Sequence, residues 1–163
     1  MAHLITRSCN GCTACARQCP TAAIRGSVRG VHRIDPVLCV DCGVCGAICP
    51  VAAVYDDLGQ LVPRVTREAR LRPRVDDDAC NGCELCIDVC PFGCRAIAGL
   101  RYGGIAYLAS PLRCVACGEC ARSCIKGAIV LAPMDLRAYD PDDEAERIEA
   151  LLDEHADPER RRA

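Results

Sequence analysis

The stretch Cys9-Asn10-Gly11-Cys12-Thr13-Ala14-Cys15-Ala16-Arg17-Gln18-Cys19-Pro20 decides the reading of this chain. Three cysteines are set at a constant spacing, a fourth follows after a longer one, and a proline closes the run. The same pattern recurs at Cys39, Cys42, Cys45 and Cys49, at Cys80, Cys83, Cys86 and Cys90, and at Cys114, Cys117, Cys120 and Cys124. Pro20, Pro50 and Pro91 follow the last cysteine of three copies, and Ile125 stands there in the fourth. Self-similarity of this kind is the signature of a repeated structural unit.

The repetition runs past the cysteines. Pro20-Thr21-Ala22-Ala23-Ile24, Pro50-Val51-Ala52-Ala53-Val54 and Ile125-Lys126-Gly127-Ala128-Ile129 are versions of one phrase, and Pro91-Phe92-Gly93-Cys94-Arg95-Ala96-Ile97 reads as the same phrase with two extra residues. Proline, then small residues, then a β-branched residue predicts a helical turn or two feeding a short strand. Between the first two motifs, Ile24 to Ile34 alternates β-branched and polar residues around glycines, as a hairpin does. Leu100 to Leu108, with Gly103-Gly104 at its centre, holds the equivalent place between the last two. The motifs therefore group as two pairs. The expected organisation is α+β: a domain at 1–65, a linker at 66–73 whose Arg67, Arg70 and Arg72 look solvated, a second domain at 74–133, and a partly helical tail at 134–163.

Composition limits what can fill such domains. The chain has 163 residues, no Trp, one Phe and four Tyr against 17 Cys. Aromatic side chains cannot dominate the core, and metal binding can supply folding free energy to an undersized one. A secreted disulfide scaffold is the rival explanation for so many cysteines, but the N-terminus lacks a signal pattern and uniform cysteine triplets form no disulfide framework. A reducing cytoplasm is expected. No apolar run is long enough for membrane insertion. The formal charge of −2 makes nucleic acid an unlikely partner.

Zinc sites gather two separated cysteine pairs, which leaves the third and fourth cysteines of each motif unexplained. Three cysteines at this spacing can instead wrap a loop around three corners of an iron–sulfur cubane while the fourth points away, as the run C-x2-C-x2-C-x3-C-P does. Gly11, Gly82, Gly43 and Gly118, beside the second cysteines, let backbone amides approach the sulfurs. Four motifs predict four 4Fe-4S clusters as cofactors, and with them the total charge reaches roughly −10 in the oxidised state.

On these residues the chain resembles the bacterial-type two-cluster ferredoxins. Cys9 to Pro20 looks like the first half of such a protein and His32 to Pro50 like the second, and the likeness returns over about 74–133. The resemblance implies two tandem ferredoxin-like domains with short hairpins and short helices around the clusters. It also implies crossed ligation: Cys9, Cys12, Cys15 with Cys49; Cys39, Cys42, Cys45 with Cys19; Cys80, Cys83, Cys86 with Cys124; and Cys114, Cys117, Cys120 with Cys90. A nested pairing, first motif with fourth and second with third, would use the same sixteen ligands.

The remaining candidates are few. Cys94 reads as a small buried apolar residue, with alternative ligand and reactive thiol as the other readings. His3, His32 and His155 read as solvated or locally hydrogen-bonded rings. Asp140 can cap a helix that starts at Pro141 and carries Ile148, Leu151, Leu152 and His155 on one stripe. No nucleotide motif, catalytic base or nucleophile is present, so the expected role is non-catalytic electron transfer. The expected setting is the polyferredoxin subunit of a larger oxidoreductase, between a catalytic subunit and a second redox partner. Cluster count and length loosely resemble such subunits of molybdenum or tungsten enzymes, namely aldehyde oxidoreductases and formate dehydrogenases. A freely diffusing carrier is the alternative, and a structural zinc protein the remote one. Clusters open at both ends would also permit end-to-end self-association.

Overall fold

A computed structural model describes residues 2–156, except that the side chains of residues 155 and 156 are not described. The end of the expected tail, 157–163, and the His155 side chain lie outside that description. The chain divides into two compact units, Met1–Arg70 and Leu71–Ala163.

Each unit repeats one plan. In the first, β1 (Leu4–Ile5), α1 (Ala14–Gln18) and β2 (Ile24–Arg25) are followed by β3 (Arg33–Ile34), α2 (Val44–Ala47) and β4 (Val54–Tyr55). In the second, β5 (Arg72–Val75), α3 (Leu85–Asp88) and β6 (Ala96–Ala98) are followed by β7 (Ile105–Tyr107), α4 (Glu119–Arg122) and β8 (Ile129–Ala132), and then by α5 (Pro141–Ala156). All pairing is antiparallel, outer strand to outer strand and inner to inner: β1 with β4, β2 with β3, β5 with β8 and β6 with β7. Motif one thus faces motif two, with α1 against α2, and motif three faces motif four, with α3 against α4.

Several expectations change. The short helices precede the Cys-Pro step instead of following it, because each third cysteine sits inside the helix. Beyond that step the chain makes a tight turn through a left-handed residue, Ala22, Ala52, Gly93 or Gly127, with φ of 52°, 51°, 55° and 63°. That shared geometry also corrects the alignment of the third repeat. Backbone hydrogen bonds from Asp35 N to Ala23 O, Thr6 N to Ala53 O, Asp76 N to Ala128 O and Ser110 N to Cys94 O are equivalent. Cys94 is therefore the counterpart of Ala23, Ala53 and Ala128, Arg95 is the counterpart of Ile24, Val54 and Ile129, and nothing is inserted before them. The extra residue lies across the ladder. Ser110 pairs with Cys94 but Tyr107 with Ala96, so Leu108 and Ala109 together oppose Arg95 in a bulge.

The stretch expected as a solvated linker is exposed from Thr66 to Ala69, but Arg72 is fully buried within β5. In the first unit the core is small, Ile5, Ile24, Cys45 and Val54, with Cys9, Cys15, Cys19 and Cys49 against it. In the second, Cys86, Ala106 and Ile129 pack with Cys80, Cys120 and Cys124. The tail helix α5 covers the β6–β7 hairpin by setting Ile148, Leu151 and Leu152 against Ala98 and Ile105. It begins where Asp140 Oδ1 accepts from the Asp142 amide at 2.9 Å.

Candidate metal centres

The motif loops share a backbone conformation that few sequences adopt unprompted. The residues on either side of each second cysteine are left-handed: Gly11 and Thr13, Asp41 and Gly43, Gly82 and Glu84, Ala116 and Gly118. One of each pair is not glycine, at a cost on the order of 1 to 2 kcal/mol. Alternating handedness turns successive amides toward one centre and makes a nest for an anionic body. The amides also reach the sulfurs directly: Gly11 N donates to Cys9 Sγ at 3.4 Å, Ala23 N to Cys19 Sγ at 3.3 Å and Ala53 N to Cys49 Sγ at 3.3 Å.

In the first unit, one cavity is lined by Cys9, Cys12, Cys15 and Cys49, and another by Cys39, Cys42, Cys45 and Cys19. In the second, Cys90, Cys114, Cys117 and Cys120 line a third cavity. Cys80, Cys86 and Cys124 pack together, with Cys83 on the loop between the first two. Among the described residues, no three His, Cys, Asp or Glu side chains converge on a site for a single metal ion. The donor set is soft sulfur throughout, which suits iron–sulfur chemistry.

Burial and crowding make these sites hostile to bare thiolates. Burial, with Cys42, Cys15 and Cys39 nearby, pushes the Cys45 thiol up to about 12. Burial also raises Cys15, Cys86 and Cys120. Only a cationic centre can hold these sulfurs deprotonated side by side, so the residues fit a cluster, and loading it releases protons.

The sequence singled out the sixteen motif cysteines but missed the groups behind them. His32, 1% exposed, lines the first cavity, with Nδ1 3.1 Å from Gly30 O and 3.9 Å from Cys9 Sγ. His3, also buried, lines the second, and its Nδ1 is 2.6 Å from Asp41 Oδ1, close enough for an ion pair though the ring is not aligned for a hydrogen bond. These rings are not solvated. Cys94 is buried as expected, yet it is not passive: its Sγ lies 3.2 Å from Cys90 Sγ. The closeness of Cys94 and Cys114 lowers the Cys114 pKa and raises that of Cys94. Arg95 and Arg72, both buried in the second unit, add positive charge beside Cys114. The pairing of each motif with its sequence neighbour, which the hairpin lengths suggested, was the one legible clue to this geometry.

A fold of paired two-stranded ladders around cysteine-lined cavities defines an iron–sulfur electron carrier. Models of the 4Fe-4S dicluster domain match residues 8–53 and 37–94, the second running across the boundary between the units. A 7Fe ferredoxin of Hydrogenibacillus schlegelii is 41% identical over 59 residues, which cover 35% of this chain and 74% of the relative. Ferredoxin-2 of Chlorobaculum tepidum is 40% identical over 60 residues, 33% of this chain and 95% of the relative. The polyferredoxin protein MvhB of Methanothermobacter marburgensis is 36% identical over 93 residues, 53% of this chain but 19% of that protein. The chain belongs to the bacterial-type ferredoxins, with the dicluster domain in tandem and four 4Fe-4S clusters as its cofactors.

Proposed function

We propose that the chain conducts electrons as the polyferredoxin subunit of a larger oxidoreductase, an aldehyde oxidoreductase being one setting. The ligand sets we infer are Cys9, Cys12, Cys15 and Cys49; Cys39, Cys42, Cys45 and Cys19; Cys80, Cys83, Cys86 and Cys124; and Cys114, Cys117, Cys120 and Cys90. The chain supplies spacing, burial and hydrogen bonds to the sulfurs, and the clusters supply one-electron chemistry. The observation that carries this reading is the tandem. A mobile carrier needs one two-cluster unit, whereas this chain has two complete ones, and its likeness extends to a polyferredoxin protein.

A catalytic subunit would be one partner and a second redox protein the other, in the reducing cytoplasm where free thiols persist. Among the described residues, no helix is long and apolar enough to cross a membrane. The alternative is a freely diffusing ferredoxin, favoured by relatives that are single ferredoxins. Anaerobic purification from the native host, with iron and sulfide counted and co-eluting subunits identified, tests both. About sixteen iron per chain and a stoichiometric partner are expected. A lone chain that reduces several enzymes overturns the subunit role, and about four zinc without sulfide overturns the clusters.

A further inference from the structure

Arg95 is in the wrong place for an arginine. Its three equivalents, Ile24, Val54 and Ile129, are buried aliphatic residues of the two cores. Ile24 lines the second cavity and Val54 the first, and in the corresponding place Arg95 lines the cavity of Cys90, Cys114 and Cys120. It is 5% exposed, and among the described residues Nε, Nη1 and Nη2 are all buried without a hydrogen-bond partner of ordinary geometry. Burying a guanidinium unpaired costs several kcal/mol, and it cannot escape the cost by losing its proton. Something anionic must balance it, yet among the described residues no carboxylate forms an ion pair with it. Its neighbours in the cavity are sulfurs.

Its charge is felt on both sides of the second unit. It sits close to Cys86 as well as to Cys114 and Cys120. Cys86 belongs to one inferred ligand set and Cys114 and Cys120 to the other. Among the described residues, no arginine lines either cavity of the first unit: its buried polar residues there are His3 and His32, and His3 already faces the Asp41 carboxylate.

We propose that Arg95 is a built-in counter-charge that makes the second unit the more easily reduced half of this ferredoxin. A sulfur-ligated site gains one negative charge when it accepts an electron, and a fixed cation in a water-poor cavity stabilises that state over the oxidised one. Electrons supplied to the chain therefore rest in the unit that holds Arg95, with no proton taken up. This gives the chain a polarity that cysteine spacing alone does not. The inference rests on the proposed cluster assignment.

The test is a redox titration of the full, cluster-loaded chain with dithionite as reductant, followed by electron paramagnetic resonance, with iron and sulfide counted on every sample. Arg95→Met keeps an unbranched apolar stem and removes the charge. It is expected to lower the reduced-to-oxidised ratio of second-unit signals at fixed potential by about tenfold or more, about 59 mV for a one-electron couple. Arg95→Lys is expected to restore most of the shift, which a purely structural role would not do. An Arg95→Met chain with full iron and an unchanged titration overturns the proposal. Where that variant loads iron incompletely, the native chain decides: two resolved steps of about two electrons each support the proposal, and a single step for all four sites overturns it. A low iron count in the native chain instead overturns the cluster assignment itself.

Discussion

Cys94 stands where the other three repeats have alanine, and its thiol is the second feature that sets the third repeat apart. Cys94→Ala restores the common residue and removes an S–H donor to the sulfurs of Cys90 and Cys114. The iron count should stay at about sixteen while the site they share becomes harder to reduce by about 0.5 to 1 kcal/mol, measured by the same titration. Tyr139 offers a test by pH. Its hydroxyl donates to Leu108 O at 3.0 Å, and burial, then Glu144, push the phenol from 10 up to about 12. The folded state holds this proton more tightly than the unfolded chain. The contribution is therefore complete below pH 10 and fades as pH rises from 10 through about 12. Phenolate absorbance of the native chain, compared with Tyr139→Phe, should show this residue ionising only at the upper end of that window.

Among the elements, α5 carries the clearest energetic prediction. Ile148 is 1% exposed and seals Ala98 and Ile105 of the hairpin beneath it. Ile148→Ala should cost the second unit roughly 2 to 4 kcal/mol, read as a lowered denaturant midpoint, while the first unit is unaffected. The cap, Pro141 and the apolar stripe were all legible in the sequence, because helix termini follow local rules. The motif helices were misplaced for a physical reason: proline after the fourth cysteine looks like a helix start, but the left-handed residue two positions on, Ala22 or Ala52, makes it a turn. The sixteen motif cysteines stood out in the sequence because metal coordination demands fixed residue types at fixed spacing. Arg72, Arg95, His3 and His32 could not, since a buried charged or polar side chain is defined by neighbours far away in the chain. The register of the third repeat was hidden by a bulge on the opposite strand.

At the scale of the molecule, the cores are too small to stand without their metal. Ile5, Ile24, Val54 and Cys45 form the buried cluster of the first unit, and four more cysteines pack against it beside only Ala16, Ile34 and Val62. The thiols raised by burial add to the problem once the iron is gone, because sulfurs that served as ligands become buried polar groups. Iron removal by chelator under mild acid should abolish most of the circular dichroism of the native chain. Rebuilding with iron and sulfide should restore it together with about sixteen iron. Retention of native secondary structure in the stripped chain would count against cluster-dependent folding.

Of all seventeen cysteines, Cys12 alone has an exposed side chain. Thiolate oxidation follows access, so dioxygen and peroxide meet this sulfur before any other. Ageing in air should then proceed in order, with Cys12 the first site of sulfenic or sulfonic acid by mass spectrometry and the brown colour fading in stages. A sample that has lost part of its colour would be a mixture of damaged first units and intact second ones. Uniform oxidation of all the cysteines would show that access is not what protects them. Exposure at Cys12 thus makes the first unit the weak point of the protein in the presence of oxygen.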